Sequence, residues 1–179
     1  VVHIESGDEA MYETEIDSTS HFSGFTIQNG ESMGHGGGGI YISGSSPYLF
    51  NLKILNNYDY NKGGGIYMNE SDPILTNVTI TGNTADDGGG IYLENESDPT
   101  FTNVTITGNT AEYGGGGIYC DGGSFTFTGG ELTGNISQEG GAISYGGDNY
   151  DSTSFTNTTI ANNTSNGGAN IMIFGPSSV

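Results

Sequence analysis

Gly64-Gly65-Ile66-Tyr67 … Asp72-Pro73-Ile74-Leu75-Thr76-Asn77-Val78-Thr79-Ile80-Thr81-Gly82-Asn83 is followed by a near copy of itself, Gly89-Gly90-Ile91-Tyr92 … Asp98-Pro99-Thr100-Phe101-Thr102-Asn103-Val104-Thr105-Ile106-Thr107-Gly108-Asn109. More divergent copies extend the pattern on both sides, between Phe22 and Phe174. Self-similarity at a fixed period indicates stacked supersecondary units that bury their apolar faces against one another. The sequence therefore predicts a solenoid.

Three rows of apolar residues define the repeat. Each row recurs about every 26 residues, and its neighbours alternate between apolar and polar side chains before a run of Gly, Asn, Asp or Pro. Such alternation over a few residues predicts short half-buried strands joined by tight turns. The rows are Ile27, Ile54, Ile80, Ile106, Leu132, Ile160; Ile40, Ile66, Ile91, Ile118, Ile143, Ile171; and Phe22, Leu49, Leu75, Phe101, Phe127, Phe155.

The predicted fold class is therefore all-β: a parallel β-helix of about six coils, each of about 26 residues with three short strands. Right-handed winding is expected from the general preference of connections between parallel strands. We expect one domain over residues 1–179, made of an opening coil (1–30), regular coils (31–169) and a terminal strand with a tail (170–179). No run of 18 apolar residues and no signal-peptide pattern is present, so we expect a processed or excised piece without a membrane span.

An asparagine recurs three residues after the first apolar row. In a stacked solenoid, identical Asn side chains lie above one another and can pass amide hydrogen bonds along the axis. Asn also tolerates the left-handed backbone of a turn. Recognition of sugar hydroxyls is the functional alternative. The predicted structural ladder comprises Asn57, Asn83, Asn109, Asn135 and Asn163.

A second file consists of tyrosines that follow the second apolar row and should point outward. Aromatic stacking between successive coils is sufficient to explain such a file. A platform for sugar rings or for a partner protein is the other interpretation. The predicted surface or interaction ladder comprises Tyr41, Tyr67, Tyr92 and Tyr119.

The charge balance is extreme, since 21 carboxylates face two lysines and the formal net charge is −19. Such a surface repels nucleic acid and anionic membranes, and the compact state needs salt or cations to screen it. Acids gather at two corners of the predicted coil, where stacked carboxylates could ligate Ca²⁺, the one candidate cofactor. A solvated acidic surface is the alternative to metal sites at Glu70, Asp72, Glu94, Glu96, Asp98, Asp86 and Asp87.

The last strand differs from the others, because Asn170-Ile171-Met172-Ile173-Phe174 is apolar on both faces. This pattern predicts that the wall is covered there, either by further coils of a longer chain or by another copy. Met172 and Phe174 are the candidate residues of an end-to-end interface.

The motifs resemble a known class of repeats. Gly140-Gly141-Ala142-Ile143, its Gly-Gly-Gly-Ile-Tyr variants and the Asn-Val-Thr-Ile-Thr-Gly-Asn-Thr-Ala string at 77–85 resemble the right-handed β-helix repeats of secreted and surface-anchored bacterial proteins, including the polymorphic outer-membrane protein repeats. Ser23–Gly30 is similar to the first coil of large secreted β-helix proteins. The resemblance implies an extracellular or cell-surface location, and it is compatible with adhesins and with carbohydrate-active enzymes.

Enzymatic interpretations meet specific difficulties in this sequence. β-Helix lyases act on polyuronates with basic residues, whereas this chain has only Lys53 and Lys62 in a field of carboxylates. Asp86-Asp87 and His35 echo elements of polygalacturonase-like hydrolases, but lie in the same type of corner two coils apart. The single Cys120 occupies an inward slot and is expected to be a buried thiol.

We therefore expect a non-enzymatic structural or adhesive β-solenoid module of an extracellular surface protein or self-associating filament. Its expected partners are further copies, additional coils of a longer chain, glycans or cell-surface molecules, and not nucleic acid or membrane. The alternative is a carbohydrate-binding or carbohydrate-cleaving β-helix of the glycoside hydrolase type.

Overall fold

The computed structural model describes residues 1–5, 19–146 and 153–173, and all its regular elements in these ranges are β-strands. None of the described residues forms a helix able to cross a membrane. The first strands are β1 (Val2–Glu5), β2 (His21–Ser23), β3 (Thr26–Gln28), β4 (Glu31–Ser32), β5 (Ile40–Ser43), β6 (Tyr48–Phe50), β7 (Lys53–Leu55), β8 (Tyr58–Asp59), β9 (Ile66–Asn69), β10 (Ile74–Thr76), β11 (Thr79–Thr81) and β12 (Thr84–Ala85). They are followed by β13 (Ile91–Ser97), β14 (Thr100–Thr102), β15 (Thr105–Thr107), β16 (Thr110–Ala111), β17 (Ile118–Gly123), β18 (Thr126–Thr128), β19 (Glu131–Thr133), β20 (Ile136–Ser137), β21 (Ile143–Gly146), β22 (Ser154–Thr156), β23 (Thr159–Ala161), β24 (Thr164–Ser165) and β25 (Ile171–Ile173).

The strands form four parallel sheets in which every neighbour comes from the adjacent coil. Sheet A contains β1, β5, β9, β13, β17, β21 and β25 in that order; sheet B runs from β2 to β22, sheet C from β3 to β23 and sheet D from β4 to β24, each taking every fourth strand. The register aligns the repeats position by position, with Ile66 opposite Ile91 and Leu75 opposite Phe101. The predicted parallel β-solenoid of about six coils is confirmed.

The number of strands per coil is the point at which the prediction was wrong. Each full coil has four strands, because two residues after the sheet C corner pair with their equivalents to make sheet D. A two-residue strand is too short to show alternation. Its inward side chain is also small or polar, as with Ala85, Ala111 and Ser137, so it lacks the large apolar marker of the other walls.

The three apolar rows meet along the axis and form one continuous core. Ile66, Leu75 and Ile80 of a single coil are fully buried, as are their equivalents Phe101 and Ile106 in the next coil. Each buried large apolar side chain stabilises the folded state by about 1.5–3 kcal/mol relative to an exposed one. Because equivalent residues stack, the core extends with every coil that is added.

Left-handed residues turn the chain between sheets B and C and between sheets C and D. At the first corner they are Gly24, Asn51, Asn77, Asn103, Gly129 and Asn157; at the second they are Asn29, Asn56, Gly82, Gly108, Gly134 and Asn162. Only Gly, Asn and Asp adopt this conformation readily, which explains the alternation of Gly and Asn in the repeat.

The runs of glycine before each strand of sheet A are explained by close packing rather than by a left-handed turn. A Cβ atom on Gly64 would lie 2.3 Å from the carbonyl oxygen of Thr84 in the next coil. The chain before sheet A thus packs backbone against backbone, and only glycine leaves enough room there.

The five ladder asparagines lie directly after the second corner and form one continuous file. Asn57 donates from its backbone N–H and its Nδ2 to Oδ1 of Asn83, at 2.9 and 3.0 Å. Nδ2 of Asn83 donates in turn to the carbonyl of Ile54 at 3.0 Å, and to Oδ1 of Asn109 at 2.9 Å. The same contacts repeat up to Asn163. Each amide in the interior of the file therefore uses both of its donors, and its oxygen accepts twice.

Replacement of Asn109 by Ala tests the contribution of this file. The backbone N–H and Nδ2 of Asn83 would lose their acceptor inside the molecule. Buried groups left unsatisfied cost about 1–3 kcal/mol each, so Asn109→Ala should lower the free energy of unfolding by about 2–4 kcal/mol, measured by urea denaturation. The control is Asn103→Gly at an exposed corner with φ of 52°, which glycine accepts, and it should change stability by less than about 1 kcal/mol. Equal losses in both variants would contradict a special role for the buried file.

Candidate functional site

The tyrosine file lies on the outer side of sheet A. Tyr41, Tyr67, Tyr92 and Tyr119 occupy equivalent positions of four adjacent strands. Their rings stack with centroids 5.1, 5.9 and 5.0 Å apart and interplanar angles of 18°, 21° and 8°. In-register pairing of parallel strands brings identical rings to this spacing, and each aromatic pair adds about 0.5–1.5 kcal/mol beyond its area burial.

These rings do not form an open platform, although their side chains leave the outer side of the strand. Tyr67 is only 7% exposed and Tyr92 only 3% exposed. The glycine-rich segment of the preceding coil lies over Tyr67, where a Cβ on Gly36 would come within 2.7 Å of its ring. The Nζ atom of Lys62 lies 4.7 Å from the ring centroid of Tyr92, a cation–π contact. The two central tyrosines therefore belong to a second packed layer.

Carboxylates hold the hydroxyl ends of this layer. The Tyr67 hydroxyl donates to Glu94, and the Tyr92 hydroxyl donates to Asp121 at 3.0 Å. Nζ of Lys62 lies 2.5 Å from Oε1 of Glu94, so Glu94 connects two coils through two partners. Burial and these carboxylate neighbours raise the pKa of both tyrosines, which keeps them protonated. Partial burial pushes the pKa of Glu94 upward, but the hydrogen bonds from Lys62 and Tyr67 outweigh it and hold the pKa below its ordinary value.

The acidic corner after sheet A is organised by hydrogen bonds between coils. Oδ1 of Asp72 accepts the backbone N–H of Asp98 at 2.8 Å, and Oδ1 of Asp98 accepts the N–H and the hydroxyl of Ser124 at 2.7 and 2.8 Å. Glu70 and Glu96 are exposed and adopt the left-handed conformation. At this corner, Asp72 and Asp98 therefore each accept hydrogen bonds from the equivalent position of the next coil.

The acidic corner before sheet A is more crowded. Asp59 is fully buried and accepts the backbone N–H groups of Gly36, Asn61 and Lys62 at 2.7–3.2 Å. Asp87 accepts the N–H of Gly114 at 2.9 Å, in the same manner. Burial, followed by the charges of Glu112 and Asp59, raises the pKa of Asp86.

Among the described residues, no group of three or more His, Cys, Asp or Glu side chains is arranged to hold a metal ion. Asp72, Asp87, Glu94 and Asp98 instead accept hydrogen bonds from the protein. These hydrogen bonds account for the position of the four carboxylates without a bound cation. The proposed calcium ligands remain a prediction.

The single thiol lies in the core, as expected from its position in the repeat. Cys120 is buried, and its Sγ atom is 3.4 Å from the carbonyl oxygen of Gly123. Burial, with Asp98 and Asp121 nearby, raises the pKa of the Cys120 thiol to about 12. A thiol that stays protonated at neutral pH is a poor nucleophile.

The terminal strand differs from the expectation in its exposed residues. Met172 is half-buried, and Phe174 lies outside the described residues. Among the described residues of this coil, the exposed large apolar side chains are Phe155 and Ile171, which belong to two of the apolar rows, and Ile173, which pairs with the buried Tyr145 of the preceding coil. The prediction concentrated on outward positions, whereas the last coil exposes its inward ones because no coil covers them in the described structure.

Sequence reasoning also missed an aromatic group on the outer side of sheet B. The rings of His21 and Tyr48 meet edge to face at 5.3 Å, and Tyr48 stacks with Phe50 at 5.9 Å. Ile74 and Thr76 occupy the equivalent positions in the next coil. Alignment of the outward positions beside the Phe22–Leu49–Leu75 row would have revealed this group.

Comparisons with known proteins agree with this architecture. A family model described as right handed beta helix region matches residues 15–178, nearly the whole chain. Searches of curated proteins and of solved structures gave no significant match.

Glu94→Gln tests the tyrosine–carboxylate layer. The folded-state pKa of Glu94 lies below the ordinary value of 4.5, so its charge stabilises the fold above that pH, and the contribution disappears as pH falls through the folded-state pKa. The variant should be about 2 kcal/mol less stable at pH 7, since charge-assisted hydrogen bonds contribute about 1.5–3 kcal/mol. The difference from the unmodified chain should shrink below pH 4.5. Urea denaturation between pH 7 and 3, at low protein concentration, measures this difference. Glu96→Gln, an exposed neighbour, is the control, and an equal loss there would refute a specific role for Glu94.

Asp86→Asn tests repulsion at the other corner. The pKa of Asp86 is raised in the fold, so its ionised form opposes folding at neutral pH, and this penalty fades as pH falls toward the ordinary value of 3.8. The variant should unfold about 1–3 °C higher than the unmodified chain at pH 7 and low salt. The gain should diminish in high salt and at acidic pH. Glu70→Gln removes the same charge from an exposed corner; an equal gain there would indicate an effect of net charge alone.

Proposed function

The chain belongs to the right-handed β-helix family, and we propose that it is a non-enzymatic structural or adhesive module of an extracellular or cell-surface protein. Such a module presents its outer walls to partners, which are further copies, additional coils of a longer chain, glycans or cell-surface molecules. The location rests on the likeness of its repeats to those of bacterial surface proteins.

One observation carries this proposal: several described carboxylates that could perform chemistry, namely Asp59, Asp87 and Glu94, accept hydrogen bonds from groups of the protein itself. Asp59 and Asp87 cap backbone N–H groups, and Glu94 joins Lys62 to Tyr67. A catalytic acid or base needs access to a substrate, whereas these carboxylates already hold protein donors. Their role in coil stacking supports a scaffold function.

The outer face of sheet B supports a binding role for this wall. Between β10 and β22, the outward residues of sheet B are Ile74, Thr76, Thr100, Thr102, Thr126, Thr128, Ser154 and Thr156, all uncharged. This wall is uncharged in a chain with a net charge of −19, so another acidic molecule meets less repulsion here than at the corners.

Activity measurements on polysaccharides test the proposal. The chain should release no reducing ends from neutral or uronate polysaccharides beyond the level of a heat-denatured sample. Production of defined oligosaccharides, abolished in Asp86→Asn or Asp87→Asn, would overturn the non-enzymatic assignment in favour of a hydrolase.

Carbohydrate binding is the second candidate function, and the His21–Tyr48–Phe50 group favours it. Stacked and edge-to-face rings on an outer wall offer apolar faces for sugar rings. Affinity electrophoresis in gels that contain soluble polysaccharides distinguishes the two functions. Retardation that Tyr48→Ala removes and Tyr60→Ala leaves intact would establish a glycan-binding wall; unchanged mobility in every gel would exclude this candidate for those polysaccharides.

Calcium enters the proposal as a stabilising counter-ion of the acidic corners. About 1 mM Ca²⁺ covers the affinity range of extracellular calcium modules. The thermal unfolding midpoint should rise equally in CaCl₂ and in MgCl₂ of the same ionic strength if screening alone acts. A larger rise in CaCl₂, reversed by a chelator and lost in Asp98→Asn, would instead identify a specific site.

A further inference from the structure

The tyrosine file of sheet A offers a continuous path of aromatic rings across four coils. Tyr41, Tyr67, Tyr92 and Tyr119 stack with centroids 5.0–5.9 Å apart, within the range of offset-stacked pairs. Tyrosine can lose one electron to an oxidising radical, and rings in contact can pass the resulting electron vacancy to one another. The file therefore has the geometry of a path for electrons along the solenoid axis.

The two central rings also have proton acceptors in place. A tyrosine that loses an electron must lose its phenolic proton as well, because the oxidised phenol is a strong acid. Burial and nearby carboxylates raise the pKa of Tyr67 and Tyr92, so both carry that proton beforehand. The Tyr67 hydroxyl donates to Glu94, and the Tyr92 hydroxyl donates to Asp121 at 3.0 Å. Each ring can thus release its proton to a carboxylate and become a neutral phenoxyl radical.

The lysine beside the file is compatible with a neutral radical. The Nζ atom of Lys62 lies 4.7 Å from the ring centroid of Tyr92, where a cation disfavours a positively charged ring. Proton transfer to Asp121 removes that positive charge from the ring. Glu94 also pairs with Nζ of Lys62 at 2.5 Å. The surroundings therefore favour electron movement that is coupled to proton transfer.

The ends of the file are more accessible than its centre. Tyr41 and Tyr119 are half-buried, whereas Tyr67 and Tyr92 are almost completely covered. Ser144 takes the equivalent position after Tyr119, so the file ends there. A small oxidant or reductant in solvent can exchange an electron at an end, while the covered central rings are shielded from coupling to other molecules.

Two oxidisable sulfur side chains lie on the inner side of the same strands. Met68 follows Tyr67 in β9, and Cys120 follows Tyr119 in β17; both are buried in the core. Oxidation converts a thioether or a thiol into a polar group, which disrupts a packed core. The tyrosine file thus lies between solvent and the sulfur atoms that the core needs in their reduced form.

We propose that the tyrosine file relays electron vacancies between its two ends, with Glu94 and Asp121 as local proton acceptors, and so protects Met68 and Cys120 from one-electron oxidants of the organic peroxyl class. This activity is separate from the proposed binding or scaffold role. It depends on the covered layer of the wall and not on any partner.

Each step of the relay balances. A peroxyl radical takes a hydrogen atom from an end tyrosine, so the phenolic O–H bond breaks and the O–H bond of a hydroperoxide forms. Between the central rings, an electron moves from Tyr92 to the Tyr67 radical. Asp121 takes the proton of Tyr92, and Glu94 returns a proton to Tyr67. A soluble enediol reductant finally gives a hydrogen atom to the tyrosyl radical at the other end and is itself oxidised.

A full-length chain with a light-activated oxidant at one end and a radical trap at the other tests the relay. A ruthenium polypyridyl complex is attached through Ser43→Cys, on the outer side of β5 beside Tyr41, and 3-aminotyrosine replaces Tyr119. The trap oxidises more easily than tyrosine and its radical has its own spectrum. Cys120 stays unlabelled because it is buried and protonated. After a flash with a persulfate quencher, the trap radical should form, and more slowly in D₂O because protons move with the electrons.

Matched variants show whether the radical travels through the file. Tyr92→Phe keeps a stacked ring but has no phenolic proton and is much harder to oxidise, so the yield of trap radical should fall about tenfold or more. Glu94→Gln cannot take a proton and should slow its formation. Tyr60→Phe changes an exposed ring outside the file and is the control. Circular dichroism and urea midpoints should show that the variants fold.

Unchanged radical yield in Tyr92→Phe would overturn the relay, as would absence of the trap radical when both central tyrosines are present. Protection has its own measurement: peroxyl radicals from a thermal azo initiator, with ascorbate present, followed by peptide mass spectrometry. The double variant Tyr67→Phe/Tyr92→Phe should accumulate more Met68 sulfoxide and oxidised Cys120 than Tyr60→Phe, and equal oxidation would refute protection. The polysaccharide and glycan measurements above decide the proposed function independently.

Discussion

Hydrogen bonding between successive coils is the constraint on which the whole structure depends. A strand of two to seven residues cannot satisfy its own backbone, so each coil relies on the coils above and below it. In-register pairing then aligns identical side chains, and the buried amides of Asn83 and Asn109 extend the same ladder into the core. The same register aligns the tyrosines and carboxylates of sheet A.

The extreme charge and the stability of the fold are reconciled by the way individual carboxylates are used. Asp59 is fully buried among backbone N–H donors, and Glu94 is held by Lys62 and Tyr67. Ionised Glu94 strengthens the stack, whereas ionised Asp86, which is partly buried and lies near the charges of Glu112 and Asp59, weakens it. The acidic surface thus contains both structural acceptors and mutually repelling charges, and a fall in pH acts on Glu94 and Asp86 in opposite directions.

The outer walls of the solenoid differ in exposure and in charge. The central tyrosines Tyr67 and Tyr92 are covered, whereas the outward residues of strand β14 in sheet B are uncharged and Glu70 and Glu96 at the acidic corner are exposed. The sheet B wall and the acidic corners therefore differ in charge, so an acidic molecule meets less repulsion on the wall than at the corners.

The sequence by itself determined the period, the parallel sheets and the inward rows, because a coil of about 26 residues can repeat Ile66 at Ile91 and Leu75 at Phe101 only if those residues stack. Sheet D was not predicted, because a strand of two residues with a small inward side chain shows no alternation of apolar and polar residues. Tertiary structure alone decided that Gly36 covers Tyr67, that Lys62 reaches Glu94 and that Ile173 is exposed. These outcomes depend on how loops from neighbouring coils fold over a wall, and on which coil lacks a neighbour. The spacing of a repeat predicts neither of these features.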